Sequence, residues 1–279
     1  MDTKLILVEG LPGFGKSMTA KLIYDSLMER NIDAELYLEG DLHHPADYDG
    51  VACFTREQYE DLLLHSGGLK EAIKDFIQVK DRHYFLPYEI MKLRLNRQFP
   101  DPLMSKVFEH DIYELPFERN KELIANKWEE FVQEYSFANK IVIFECCFIQ
   151  NPVTIGMVKY NKPKENVLAY VLKLANIIEK LNPVLIYVEQ DDLEFSFEKA
   201  VQERPKAWSD GFVDYYTNQG FGKEQKYIGK GGALAVLKER QKIEAEIYDR
   251  LSMTKFKVNN SNYELQRYQK LLNKRLSSL

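Results

Sequence analysis

Apolar and polar positions alternate along the chain in two registers, strand-length apolar runs and longer amphipathic stretches. The run 4–9 is short, β-branched and leucine-rich, the pattern of a buried strand. After a glycine-rich turn, Ala20, Leu22, Ile23, Leu27 and Met28 recur at helical spacing. Asn31 and Asp33 end that helix, and "AELYLEGD" (34–41) reads as a second strand. Strand, helix and strand within about forty residues make one crossover with parallel strands. The turn-rich segment 43–50 then lies beyond the C-terminal end of the second strand, the edge where open α/β sheets hold ligands.

From 55 to 135 the period is helical. Thr55 with Gln58 has the pattern of a capping box opening "REQYEDLLLH". Segments 67–80 and 86–99 read as two further helices, and Pro116 suits the first turn of a long amphipathic helix over 116–135. No strand pattern interrupts them, so 54–136 is expected to be an all-helical insert. The stretch 140–152 is the most apolar of the chain and reads as a central strand buried on both faces. A helix over 164–181, a strand over 183–190 and a helix over 193–205 follow. A polar, glycine-punctuated segment, 206–232, carries Lys206, Lys223, Lys226 and Lys230. A helix over 233–251, a fifth strand over 255–261 and a terminal helix over 263–276 complete the pattern. The fold class is therefore a three-layer α/β domain with a five-stranded parallel sheet. Its core comprises 1–53 and 137–279, and the insert divides strands two and three.

The turn after the first strand, "GLPGFGKS", carries the chemistry. Its spacing is G-x-x-x-x-G-K-[ST], between a strand and a helix. Gly10, Gly13 and Gly15 allow backbone conformations that side chains obstruct, so successive amides can face an anion. Gly10, Leu11, Pro12, Gly13, Phe14, Gly15, Lys16, Ser17 and Met18 are thus the expected nucleotide cradle, at a helix N-terminus whose dipole favours phosphate. Lys16 is placed for the β- and γ-phosphates and Ser17 for magnesium, which makes ATP and Mg2+ the expected cofactors.

Composition narrows the partners. The net charge is −5 over 279 residues with both signs interspersed, so no basic excess points to nucleic acid. No apolar run approaches the roughly 20 residues of a membrane helix. Cys53, Cys146 and Cys147 are an odd number without metal-ligand spacing, which suits a reducing compartment. The expectation is a cytoplasmic protein that binds a nucleoside triphosphate and a small-molecule acceptor, with no nucleic acid and no membrane. The oligomeric state cannot be read from the sequence.

A P-loop after strand one, acids at the ends of strands two and three, then strand, helix, basic segment and strand resemble the P-loop nucleoside and nucleotide kinases. Thymidylate, deoxynucleoside and adenylylsulfate kinases share this plan. The resemblance implies a sheet order of 2-3-1-4-5, which sets Glu145 beside the P-loop, holding magnesium through a water. "YLEGD" is similar to the strand-two ending of adenylylsulfate kinases, which implies Glu39 or Asp41 as the acceptor-facing carboxylate. "VQERPKAW" falls where these kinases begin a mobile lid, making Arg204 its first phosphate-facing arginine and 204–232 a lid-like segment. Asp81-Arg82-His83 copies a tripeptide that thymidylate-type kinases carry after strand three, but it stands inside the insert and takes no role from the resemblance.

The function expected is ATP-dependent phosphorylation of a nucleoside, nucleotide or sugar-like alcohol, with Lys16, Glu39, Asp41 and Arg204 as catalytic candidates. Tyr37, Tyr48, Phe54, Tyr84 and Tyr88 are a possible acceptor wall or simply core. Glu9 is read as a structural acid, or one touching the metal shell, and His43 and His44 as loop residues. Two other readings stay open: a hydrolytic ATPase, in which Gln150 orients water, and a nucleotide-binding module without turnover.

Overall fold

The first apolar run forms β1 (Leu5–Gly10), buried at all six positions. A strand covered on both faces has no polar side to alternate with, which is why its sequence is continuously apolar. The computed structural model describes residues 2–276, so positions 1 and 277–279 of the expected core lie outside it. The chain divides into two compact units, Met1–Glu39 with Trp128–Leu279, and Gly40–Lys127.

In the first unit, α1 (Lys16–Glu29) leads to β2 (Ala34–Tyr37), shorter than the expected 34–41 because a tight turn follows with Gly40 at φ +84°.

The second unit corrects the all-helical expectation. It contains β3 (Ala52–Phe54), α2 (Arg56–His65), α3 (Lys70–Phe76), β4 (Gln78–Lys80), β5 (His83–Leu86), α4 (Tyr88–Leu95) and α5 (Asp101–Phe108). Its three strands form an antiparallel sheet in the order β3-β5-β4. β4 and β5 are a hairpin whose two turn residues, Asp81 and Arg82, both take positive φ (46° and 65°). Such a turn matches strand twist but normally advertises itself with Asn-Gly or Asp-Gly. Asp81 and Arg82 of the tripeptide are therefore the turn, and His83 opens β5. Thr55 and Gln58 do form a capping box on α2, with Gln58 N–H donating to Thr55 Oγ1 at 3.3 Å and Thr55 N–H to Gln58 Oε1 at 2.7 Å. Phe54, Leu62, Ile73, Leu86, Met91 and Val107 centre this unit's own apolar core.

The long helix α6 (Phe117–Tyr135) leads to β6 (Ile141–Glu145), fully buried. β6 stops seven residues short of expectation because Cys146 takes φ +74°, a conformation that turns the chain out of the sheet. A short α7 (Gln150–Val153) continues as a π-helical segment, Thr154–Lys159. Then come α8 (Lys164–Ile178), β7 (Val184–Glu189), α9 (Leu193–Glu203), α10 (Lys206–Thr217), α11 (Gly220–Glu224), α12 (Gly229–Arg250), β8 (Thr254–Asn259) and α13 (Leu265–Leu276). The segment 206–232, read as polar and glycine-punctuated, is largely helical. All four strand pairings of the main sheet are parallel, in the order β2-β6-β1-β7-β8. This differs in numbering from the expected 2-3-1-4-5 because the three insert strands count in the chain. β6 lies beside β1 with Glu145 opposite Val8. Trp128 and Phe131 pack on Phe144 and Phe148 packs on Trp128, with ring centroids 4.8 to 6.3 Å apart, and together they fix the buried flank of β6.

Candidate functional site

β1 ends in the glycine-rich turn, and two of its glycines are obligatory. A Cβ on Gly10 (φ +147°) would stand 2.5 Å from the Val188 carbonyl oxygen of β7. One on Gly15 (φ +89°), the residue before α1, would stand 2.5 Å from Asn260 Nδ2. That amide donates to the Phe14 carbonyl at 3.1 Å, and Gln190 Nε2 reaches the same oxygen at 3.4 Å. Residues just beyond β7 and β8 therefore clamp the loop from behind, with Leu11 and Phe14 buried beneath it. Thr19 Oγ1, bonded to the Gly15 carbonyl and 2.8 Å from Tyr268 Oη, ties the start of α1 to α13. Burial opposes the charge of Lys16, but Cys146, Glu39 and Glu145 outweigh it and hold the ammonium above the usual lysine range. Its Nζ donates to the Leu11 carbonyl at 3.1 Å.

The end of β6 meets this loop. Ser17 Oγ donates to Glu145 Oε1 at 2.7 Å, and the Glu39 backbone N–H donates to Glu145 Oε2 at 3.2 Å. Glu39 Oε1 accepts from Gln150 Nε2 at 2.7 Å. Among the described residues, Glu39, Glu145 and Cys146 offer ligand atoms within 4.8 Å of one another. Burial pushes the Cys146 thiol well above its ordinary range, so it stays protonated and the usable donors are oxygens. An all-oxygen set fits a hard cation such as Mg2+.

Glu9 is the neighbour on β1, and its structural reading fits what the fold does with it. Its two oxygens accept from the Phe148 and Gln150 backbone N–H groups at 2.8 and 3.0 Å, holding the chain as it leaves β6. Burial raises its pKa to about 7 despite these bonds.

The loop opens into a cleft of about 830 Å³ built entirely from the first unit. Pro12, Gly13, Gly15, Lys16, Ser17 and Met18 form one wall. Glu39, Glu145 and Gln150 also line it, and α9, α10 and Arg204 between them add further lining, including an aromatic face. Arg204 lies with Cζ 4.3 Å above the Trp208 ring. Asp41 falls in the second unit, where its Oδ1 accepts the His43 N–H at 2.9 Å in a local turn. His44 is buried, its Nδ1 accepting from the Ala46 N–H at 3.1 Å, and burial lowers its pKa to about 3.

Of the two readings of the aromatic set, acceptor wall or core, the rings pack as core: Tyr48 stacks on Phe85, Tyr84 on Tyr59, Phe54 meets His110 and Tyr88 bonds Asp111, all within the second unit, while Tyr37 packs on Phe144 in the first. The aromatic face of the cleft is instead Trp208, Phe212 and Tyr216 of α10.

No protein-family model matches the chain. No curated protein matches it either. Among solved structures it is similar to a thymidylate kinase from Candida albicans, at 12% identity and a TM-score of 0.43, over 99% of this chain and 92% of that one.

The sequence reading missed Arg240, which lines the cleft from α12 and is wholly buried. Its Nε donates to Glu244 Oε1 at 2.6 Å, and its Nη1 to Tyr216 Oη at 2.6 Å and Thr154 Oγ1 at 3.0 Å. Glu244 Oε2 accepts from Tyr187 Oη at 2.7 Å. Burial opposes the guanidinium charge, but Tyr216 and Glu244 secure it. The signal was present: Val236, Leu237, Arg240, Glu244 and Ile247 share one helical stripe, and a charged pair on an apolar stripe marks a buried site.

Proposed function

We propose that this chain transfers the terminal phosphoryl group of Mg-ATP to a small-molecule acceptor held in the same cleft. One observation carries the reading. The Ser17–Glu145 pair and Lys16 line a cleft of about 830 Å³ that Arg204, Arg240 and the aromatic rings of α10 also line. Ligand clefts run from about 300 to 1,000 Å³, so this one lies toward the large end, as a site shared by two ligands would.

Phosphoryl transfer asks a protein for positioning and for neutralisation of charge, with little covalent work. Backbone amides of the loop and the N-terminus of α1 cradle the phosphates. Lys16, released from the Leu11 carbonyl, supplies the cation nearest the moving group. Ser17, with Glu145 behind it, is the set that would hold Mg2+, which when bound screens the phosphate oxygens. Glu39 faces the cleft and is the carboxylate positioned to accept the proton of an attacking hydroxyl. Arg204, which packs on Trp208 just past the end of α9 and lines the cleft, supplies a second cation for the phosphates.

The test is ADP release from Mg-ATP, with and without a panel of nucleosides, nucleotides, sugars and aminoglycosides. Stimulation by one acceptor class, abolished in Lys16→Ala, is the expected result. A steady rate indifferent to every acceptor would make the chain a hydrolytic ATPase instead, and no turnover with intact nucleotide binding would make it a binding module.

A further inference from the structure

The peptide between Phe14 and Gly15 lies in the glycine-rich turn, and its own sterics do not decide which way its plane faces. Gly15 takes φ +89° and ψ +26°. Without a Cβ it tolerates negative φ as readily, so rotation about Phe14 ψ and Gly15 φ can flip the plane at little steric cost. In a trans peptide the carbonyl and the N–H point opposite ways, and a flip exchanges them. The bonds from Phe14 N–H to the Leu11 carbonyl at 3.2 Å and from Thr19 N–H to the Gly15 carbonyl at 3.0 Å hold the peptides on either side, not this one. Two distant side chains hold it instead. Asn260 Nδ2 donates to the Phe14 carbonyl at 3.1 Å and Gln190 Nε2 at 3.4 Å. Both residues are buried, 4% and 6% exposed, and stand just past the ends of β8 and β7. The Gln190 amide has one sense, because a carbonyl oxygen only accepts; its Oε1 takes the Tyr263 hydroxyl at 3.0 Å and that of Ser196. Asn260 is tied to β7 through its own N–H, 3.0 Å from the Glu189 carbonyl. Either donor alone would satisfy a buried carbonyl, and this one has two.

We propose that Gln190 and Asn260 are positioning residues of the phosphate cradle: by drawing the Phe14 carbonyl toward themselves they keep the Gly15 N–H turned the other way, as a donor to a phosphate oxygen of the bound nucleotide. The inference rests on the nucleotide half of the transfer reading. Spacing along the chain does not reveal the role, since the two amides lie 176 and 246 positions from Phe14. The glycine belongs to the device as well as to the turn, because a Cβ there would stand 2.5 Å from Asn260 Nδ2 and push the amide off the carbonyl. Two donors on one acceptor are redundant: either alone keeps the plane, and only the loss of both frees it. A freed plane offers the nucleotide its N–H for part of the time. In the flipped state it turns a carbonyl oxygen to the phosphate, which repels it.

The test measures Mg-ATP binding to the full chain by calorimetry in the wild type, Gln190→Met, Asn260→Leu and the double variant, while nitrogen-labelled NMR follows the Gly15 amide. Each single change is expected to weaken binding by at most about threefold. The double change should weaken it by at least about thirtyfold, beyond the product of the two, because they share one acceptor. In the wild type Mg-ATP should move the Gly15 amide proton downfield as it gains a phosphate partner. In the double variant, with the rest of its spectrum folded, that movement should be largely lost. Mere loosening of the fold would lower the Tm without singling out Gly15. Wild-type affinity in the folded double variant, or losses that simply multiply, would overturn the proposal. So would a wild-type Gly15 amide that bound Mg-ATP leaves unmoved, which decides the matter even if the double variant misfolds. The expected binding pattern with no turnover stimulated by any acceptor sinks the transfer reading alone. A wild-type chain that binds no Mg-ATP sinks both.

Discussion

At the scale of single residues, the site depends on charges kept where water would normally hold them. Lys16 is buried among Cys146, Glu39 and Glu145, so removing its ammonium deletes a cation seated at the loop itself. Lys16→Ala is expected to weaken Mg-ATP binding by at least about a hundredfold, read by calorimetry on folded protein; wild-type affinity in the variant would contradict the assignment. Glu9 yields a pH dependence with a definite sign. Its folded pKa is about 7 against an ordinary 4.5, so between these values the folded chain keeps a proton that the unfolded chain has released. Its contribution to stability is complete below pH 4.5 and is lost as the pH rises through 7. Denaturant titrations from pH 5 to 8 should show stability falling with pH in the wild type, and a flatter profile in Glu9→Ala. The Arg240–Glu244 pair is wholly buried, and breaking it by Glu244→Ala should cost about 3–5 kcal/mol, because the guanidinium is left uncompensated. The double change Arg240→Met with Glu244→Leu should cost less than Glu244→Ala alone, by urea denaturation.

At the scale of elements, legibility followed the strength of the local signal. α2 begins and ends where the sequence places it because a capping box is a local device, complete within four residues. β4 and β5 escaped notice because their three and four residues are too short to show alternation, and because the turn between them uses Asp81 and Arg82 in place of glycine. Arg82 at φ +65° holds a conformation that costs a side chain about 1 kcal/mol. Arg82→Gly is therefore expected to raise stability by roughly 0.5–1 kcal/mol, seen as a higher Tm, whereas a lowered Tm would show that the Arg82 side chain contributes more than the turn gains. β6 was over-extended for a related reason. The apolar residues after Glu145 are buried as a strand would be, but Cys146 at φ +74° sends them into a turn whose N–H groups Glu9 collects.

At the scale of the whole molecule, every residue of the cleft comes from the unit Met1–Glu39 with Trp128–Leu279. Ligand binding therefore adds its free energy to the unfolding of that unit. Mg-ATP at a hundred times its Kd should stabilise it by about 2.7 kcal/mol by mass action. Calorimetric scans are expected to show the transition of that unit moving upward with nucleotide; an unchanged thermogram at saturating Mg-ATP would count against the cradle. The aromatic face of the cleft and Arg240 likewise belong to this unit, on α10 and α12.

The amino-acid sequence determined, on its own, whatever is settled within a few neighbouring residues: the glycine-rich turn between a strand and a helix, the lysine and serine that follow it, and the apolar runs that become parallel strands. Those features rest on backbone sterics and on local burial, which composition and spacing report directly. Tertiary structure alone decided which distant groups meet. Glu9 collects the N–H groups of Phe148 and Gln150, 139 and 141 positions away, and Gln150 and Arg240 line one cleft from separate helices. The physical reason is that a buried charge or amide is affordable only beside its partner, and the partner is chosen by how strands and helices stack, which periodicity cannot disclose.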